Sequence, residues 1–387
     1  MNSKSLKKFT ISGWYGNFNA GDDAILQVFI DQACKRWNCK IVVLSEQPEN
    51  IERTNNVEGR FHLFPTYTGT LGSLLNGDFF RHARNLLESD IFVLGGGGIL
   101  RDNTNWRNLV SVLDEIWISK LLGRKVMLYA IGVGPFKSRL GKLVIGMSVR
   151  MCDLITVRDA KSAKLLMDIG IPAKRIHVVA DPAFLLGSAA PQDQDLVKLL
   201  SGGGKVGVFP TSNPIHGEHG SSHAIKLARA FDSLFEKTGL QFVALPMQIA
   251  ETGVDDVKFS HAIKAAMKYP EAMEIYEKRL TPLELKWVTG QTLFNITVRL
   301  HAMIFSLGLR TPVVAVNYEP KVANVFASVG APEYLIEVDG NFEENLISAA
   351  EKCLQDLPAY KDQINVSMLN NEKSALRTFE LMESLCP

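Results

Sequence analysis

What most constrains this chain is a repeated alternation. Short, continuously apolar runs are each followed by an amphipathic helical stretch, first at residues 9–12, 41–44, 91–94, 126–131, 155–157 and 177–179. After a break the pattern resumes at 206–209, 242–245, 293–297 and 313–316. Strand alternating with helix means a parallel sheet with right-handed crossovers, and strands lacking polar alternation are strands covered on both faces. The expected fold class is therefore α/β, with two Rossmann-like doubly wound domains. Two such domains facing a central cleft form the GT-B architecture, and ligands of open α/β sheets sit at the carboxyl edges of the strands.

Length supports the division, because 387 residues exceed what one hydrophobic core usually organises. The alternation stops near residue 187, and the polar, flexible Ser201-Gly-Gly-Gly-Lys205 follows. The expected domains are thus 1–190, read as the acceptor side, a linker over 191–204, and 205–387, closing in two helices over 342–387. A net charge of +1 with 21% charged residues excludes a chain organised to bind nucleic acid, so any cationic function is local. Five scattered cysteines, with no CxxC pair, fit a reducing compartment and a cytoplasmic location. No run of about 18 apolar residues is present to span a membrane.

Five loops following expected strands hold the unusual residues. The first, Ser12-Gly-Trp-Tyr-Gly-Asn-Phe-Asn-Ala-Gly-Asp-Asp-Ala, leads from a strand into a helix. Tyr15, Asn17 and Asn19 are expected to stack on or hydrogen-bond a sugar, with Gly21 admitting close approach and Asp22 capping the helix; a plain strand-to-helix turn is the alternative. The second, Gly95-Gly-Gly-Gly-Ile-Leu-Arg-Asp102, sets four glycines in a row, at up to ~1 kcal/mol each against alanine. Gly96, Gly97 and Gly98 are expected to present bare backbone to a substrate or to another loop, with packing as the alternative. The spacing matches neither GxxxxGK[ST] nor GxGxxG, which excludes a P-loop and disfavours NAD. The third, Gly132-Val-Gly-Pro135, is followed by Lys137 and Arg139.

In the fourth loop, Arg158 ends a strand and would grip a carboxylate or phosphate bidentately; an Arg158–Asp159 surface pair is the alternative. The fifth, Val298-Arg299-Leu300-His301, opens a helix, and His301 is the best acid/base candidate in the chain. Lys321 follows in Asn317-Tyr-Glu-Pro-Lys-Val322, as an anion counter-charge or a solvated lysine. His216, His219 and His223, with Glu218, match no standard zinc spacing; the segment reads as a loop near the acceptor, and no metal is expected. The pair Asp255–Asp256 reads as a helix start.

In their order, Ser12-Gly-Trp-Tyr-Gly-Asn-Phe-Asn-Ala-Gly-Asp-Asp-Ala, Leu94-Gly-Gly-Gly-Gly, Ile131-Gly-Val-Gly-Pro, Thr156-Val-Arg-Asp159, Arg299-Leu-His-Ala302 and Glu319-Pro-Lys-Val322 resemble the polysaccharide pyruvyl transferases, particularly the CsaB-type cell-wall enzymes. The resemblance spans about residues 10–325. It implies a GT-B-like fold and transfer of the enolpyruvyl carbons of phosphoenolpyruvate to a sugar diol, giving a cyclic pyruvate ketal and phosphate without a cofactor. It further implies a polyprenyl-linked, N-acetylmannosamine-containing acceptor of secondary cell wall polymer synthesis, and so contact with the inner face of the cell membrane. The family's cationic and acid/base positions fall on Arg158, His301 and Lys321; Arg139 and Arg299, in the third and fifth loops, are expected to bind substrate as well. One departure is Pro210-Thr-Ser-Asn-Pro-Ile-His-Gly, where many relatives carry an arginine. The rival readings are a sugar-nucleotide-dependent GT-B glycosyltransferase and a non-catalytic anion-binding relative.

Overall fold

The computed structural model describes the chain except residues 1–5, 46, 52–56, 62–77, 103–105, 203, 212–219, 250–253 and 387. It forms two compact units. The first comprises Met1–Asn17, Ile25–Pro182 and Lys373–Pro387; the second comprises Phe18–Ala24 and Ala183–Glu372.

In the first unit the elements run β1 (Lys7–Ser12), α1 (Ala20–Arg36), β2 (Cys39–Ser45), β3 (Val57–Phe61), α2 (Asp78–Leu87), β4 (Ile91–Gly95), α3 (Trp106–Leu121), β5 (Lys125–Ile131), α4 (Arg139–Met151), β6 (Leu154–Val157), α5 (Ala160–Asp168) and β7 (Ile176–Val178). The first turn of α1 groups with the second unit. The strands form a parallel sheet in the order β3-β2-β1-β4-β5-β6-β7. β4 and β6 are buried at every residue, as strands covered on both faces must be. Val144, Ile145 and Val149 of α4 pack with Phe92, Leu94, Leu128 and Val157 in the core, each large side chain contributing about 1.5–3 kcal/mol.

The second unit continues with α6 (Gln194–Leu200), β8 (Lys205–Phe209), α7 (Gly220–Thr238), β9 (Gln241–Ala244), α8 (Asp256–Ala266), β10 (Met273–Ile275), α9 (Pro282–Thr289), β11 (Asn295–Thr297), α10 (Leu300–Gly308), β12 (Val313–Asn317), α11 (Pro320–Phe326), β13 (Leu335–Glu337), α12 (Phe342–Gln355) and α13 (Leu357–Glu383), whose last part returns to the first unit. Its parallel sheet runs β10-β9-β8-β11-β12-β13. α9 begins in a capping box: Glu284 donates its amide to the Thr281 hydroxyl at 3.3 Å, and the Thr281 amide donates to the Glu284 carboxylate at 2.8 Å.

Strand order reverses direction between β1 and β4 in one sheet and between β8 and β11 in the other. These are the topological switch points where open α/β sheets take ligands.

Candidate active site

At the switch point of the first unit, Ser12 pairs with Leu94, so the first two glycine-rich loops leave the sheet side by side. Tyr15 is wholly buried, and its hydroxyl donates to the Gly95 carbonyl at 2.5 Å. A ring in that position braces the two loops. It has no face to offer a sugar, which corrects the expectation that Tyr15 stacks on the acceptor. A side chain at Gly95 would run into Tyr129, while Gly96 and Gly97 both adopt positive φ, at 79° and 72°. The Gly97 carbonyl also accepts from the Gly132 amide at 2.9 Å. Folding alone therefore requires glycine, or its conformation, at Gly95–Gly97. Gly98 differs, because a side chain there would meet nothing within 4 Å.

Asp102 ties this loop to the next by accepting from the amides of Lys137 and Ser138 and from the Ser138 hydroxyl. Burial acts to raise its pKa, but those donors outweigh it and hold the carboxyl below its ordinary value. Arg158 lies where β6 ends. Its guanidinium Nη1 donates to the wholly buried Asp181 at 3.2 Å, and its flat face covers Gly132, where a side chain would come within 2.9 Å of Nη2. The surface pairing of Arg158 with Asp159 is not what forms, since Asp159 caps α5 by accepting from the Ser162 amide at 2.7 Å.

In the second unit, Phe209 of β8 pairs with Thr297 of β11, and Arg299 and His301 emerge at that switch point. α10 is buried at every residue except His301, which is half-buried. An apolar helix thus carries one imidazole, in its first turn, where the amides and the dipole end lie. Gly21 lies against that ring, and any side chain at position 21 would collide with Nδ1. Asn19 and Gln248 form an antiparallel bridge, and the Ala20 amide donates to the Met247 carbonyl at 3.2 Å. Asp256 organises this arrangement. Fully buried, it accepts from the amides of Met247 at 3.0 Å and Gln248 at 2.9 Å and from Arg299 Nη2 at 2.5 Å. Burial raises its pKa, opposed by Arg299 and those two amides. The second arginine nitrogen, Arg299 Nη1, donates to Gln248 Oε1 at 3.3 Å.

The helix cap is also corrected. Asn19, not Asp22, caps α1: its side-chain oxygen accepts from the Gly21 amide at 3.1 Å, and Asp22 accepts from the Asn19 amide group at 2.8 Å. Asn17 is half-buried and donates to the Tyr15 carbonyl at 3.4 Å. Lys321 is partly exposed, in the first turn of α11, and pairs with Glu319 at 2.8 Å. Arg139 is exposed at the start of α4 and touches none of the other candidates among the described residues. His216 and His219 lie outside the described residues, whereas His223 is buried with its ring 6.0 Å from Phe259 and 5.3 Å from Phe342. No metal-ligand cluster occurs among the described residues. Sequence reasoning missed Asp181; it placed Asp255 and Asp256 correctly at a helix start, where Asp255 caps α8 and Asp256 is its first residue, but did not find the contacts Asp256 makes with Arg299 and the 247–248 amides. Asp181 follows β7 at the carboxyl edge of the same sheet as Arg158, so the strand-end criterion extended by one strand finds it.

Two doubly wound parallel sheets, each with polar residues gathered at its switch point, define a GT-B-like α/β protein. Solved structures agree on the fold. The UDP-GlcNAc 2-epimerase of Methanocaldococcus jannaschii is 14% identical with a TM-score of 0.63, covering 98% of this chain and 99% of its own. HepE of Anabaena, in complex with UDP-glucose, is 13% identical with a TM-score of 0.63, covering 97% and 99%. A sequence profile of the polysaccharide pyruvyl transferase family matches residues 19–320, and the chain belongs to that family. The amylovoran biosynthesis protein AmsJ of Erwinia amylovora is 23% identical over 265 residues, 63% of this chain and 61% of AmsJ, so the match spans about three-fifths of that relative's length.

Proposed function

We propose that this protein transfers the pyruvyl group of phosphoenolpyruvate to a sugar diol of a polysaccharide precursor, releasing phosphate and leaving a cyclic ketal. The observation that carries the reading is His301, the one half-buried residue of an otherwise buried helix, at its amide-rich end, with glycine kept opposite the ring. In this reading His301 delivers a proton to the methylene carbon, which makes C2 electrophilic. One sugar hydroxyl adds to C2, the bond from C2 to the phosphate oxygen breaks, and the second hydroxyl adds to C2. Two C–O bonds and one C–H bond form; one hydroxyl proton replaces the proton His301 gave, and the other leaves with phosphate. Arg158 and Lys321 are assigned the carboxylate and phosphate of the donor. Arg158 suits a carboxylate or phosphate, each of which offers two oxygens to a guanidinium, because its nitrogens other than Nη1 make no hydrogen bond to the described residues. Lys321 suits exchange between partners because its ion pair is partly exposed, and such pairs contribute at most about 1 kcal/mol.

The acceptor is a glycan, which the family description and the relative's role in amylovoran biosynthesis favour. A polyprenyl-linked cell-wall precursor at the inner membrane face, met by a cytoplasmic enzyme without a cofactor, remains part of the proposal. The test is incubation with phosphoenolpyruvate and candidate glycan acceptors, following phosphate release and the mass of a pyruvate ketal on the acceptor. His301→Ala is expected to lower turnover by 10²–10⁴-fold. Near-normal turnover in that variant, or selective thermal stabilisation of the protein by UDP-sugars over phosphoenolpyruvate, would overturn the reading.

A further inference from the structure

We infer that helix α4 of the first unit is a docking surface for an anionic lipid membrane. A helix packed on one side against a core normally turns a polar face to water. α4 does not. Val144, Ile145 and Val149 enter the core, yet Leu140, Leu143, Met147 and Met151 are 58%, 57%, 47% and 39% exposed. Their spacing of three, four and four residues aligns them in one stripe about a helix length of 20 Å long. Four large apolar side chains in a row on the outside of a helix are a patch rather than scattered exposure.

The charged side chains of the helix and of residue 137 just before it are all cationic. Arg139, Lys142 and Arg150 lie on the helix, Lys137 precedes it, all four are exposed, and α4 contains no acidic residue. Lys137, Arg139 and Lys142 make no ion pair among the described residues, and Asp102, at the helix start, uses its oxygens on the amides of residues 137 and 138 and the Ser138 hydroxyl. Arg150 instead anchors the helix, donating to the carbonyls of Ile169 and Gly170 at 3.2 Å each. An apolar stripe with an uncompensated cationic flank matches the headgroup–acyl boundary of an anionic leaflet, where the stripe enters the acyl region and the lysine and arginine stems reach the phosphates. No helix among the described residues is long and apolar enough to cross a membrane, so attachment through α4 would be peripheral. α4 follows β5 at the carboxyl edge that also carries Gly132 and Arg158, which gives docking a use if the acceptor is lipid-carried. That use rests on the reading above; the docking does not.

The test is flotation of the full chain with vesicles of phosphatidylglycerol and phosphatidylcholine against phosphatidylcholine alone, at low and high salt. The expected result is binding to the anionic vesicles that weakens with salt and falls about fivefold for each cation removed in Lys137→Gln/Lys142→Gln. Leu143→Gln/Met147→Gln is expected to lose tenfold or more, with circular dichroism and thermal unfolding showing both variants folded and turnover on a soluble acceptor unchanged. Three results overturn the inference: no vesicle binding by the parent protein, equal binding by both variants, or a parent dimer in size-exclusion chromatography that the apolar variant dissociates, which would make the stripe a self-association face. If vesicle binding behaves as expected while no preparation consumes phosphoenolpyruvate, the functional reading fails and the docking surface stands.

Discussion

Substituting Gly21 by alanine sets two opposed effects against each other, and the structure decides which is seen. Gly21 lies in the first turn of α1, where helix propensity alone predicts that alanine stabilises by up to about 1 kcal/mol. A methyl group there would collide with the His301 ring, and overpacking of this kind costs about 1–3 kcal/mol when neighbours cannot move. The imidazole can move, because it is a side chain at a half-buried position that can rotate about χ1. The two terms then nearly cancel in stability, and the expected shift in unfolding free energy is within about 1 kcal/mol of zero. Catalysis has no such offset. A general acid displaced by about 1 Å loses on the order of 10²-fold, so the expected outcome is a near-native melting temperature with turnover down 50-fold or more. The assay pairs thermal unfolding with phosphoenolpyruvate-dependent phosphate release, repeated in a His301→Ala background. If Gly21 acts only through the ring, its substitution costs almost nothing further there. Turnover within threefold of the parent, or an equal loss in both backgrounds, refutes the reasoning.

Two more perturbations follow from buried charges. Asp181→Asn leaves the buried Arg158 guanidinium uncompensated; breaking such a pair costs about 3–5 kcal/mol, and the freed fork is expected to raise the KM for phosphoenolpyruvate. A melting temperature and KM both unchanged would show that the pair positions nothing. Asp114 of α3 has no hydrogen-bond partner for either carboxylate oxygen among the described residues, and burial together with neighbouring Glu115 pushes its pKa up to about 9. Between its ordinary 3.8 and about 9 the folded state holds a proton that the unfolded state has released, so stability falls as pH rises through that window. Asp114→Asn removes this slope, and its stability is expected to match the parent near the bottom of the window and to exceed it increasingly toward pH 8.5, by up to about 1.4 kcal/mol of unfolding free energy per pH unit, read as a widening gap in melting temperature. Parallel melting profiles across that range would show that Asp114 is not the source.

The central strands were legible and, apart from β7 at residues 176–178, the edge strands were not, for one physical reason. β4, β5 and β8 are covered on both faces and paired on both sides, so each reads as an unbroken apolar run. β3, β10 and β13 stand at sheet edges, carry Glu58, Glu274 and Glu337, and are too short and mixed to stand out. The candidate site divides in a similar way. The residues proposed to meet a ligand sit at strand ends and announce themselves by charge or by missing side chains, as Arg158, His301 and Gly98 do. The residues that hold them, Tyr15, Asp181 and Asp256, have their whole function in contacts tens of residues away along the chain, which a local pattern does not carry.

The two buried arginines show why that distinction matters for chemistry. Each faces a fully buried aspartate, so each pair is close to neutral overall and its burial is tolerable. Their remaining nitrogens differ. Arg299 gives Nη2 to Asp256 and Nη1 to Gln248, and Nε is buried without a hydrogen bond, so its fork is committed to holding the 247–248 turn that in turn holds Asn19 and Ala20. A ligand competing for it would have to dismantle that turn. Arg158 gives one nitrogen to Asp181 at the longer distance of 3.2 Å and lays its plane over Gly132, and no described residue accepts from the others. The other guanidinium nitrogens of Arg158 are therefore uncommitted among the described residues. Of two arginines that look alike in sequence, each at the end of an apolar strand, Arg299 is committed to keeping His301 and Gly21 in register, whereas Arg158 keeps nitrogens uncommitted among the described residues, which supports the anion-binding role proposed for it.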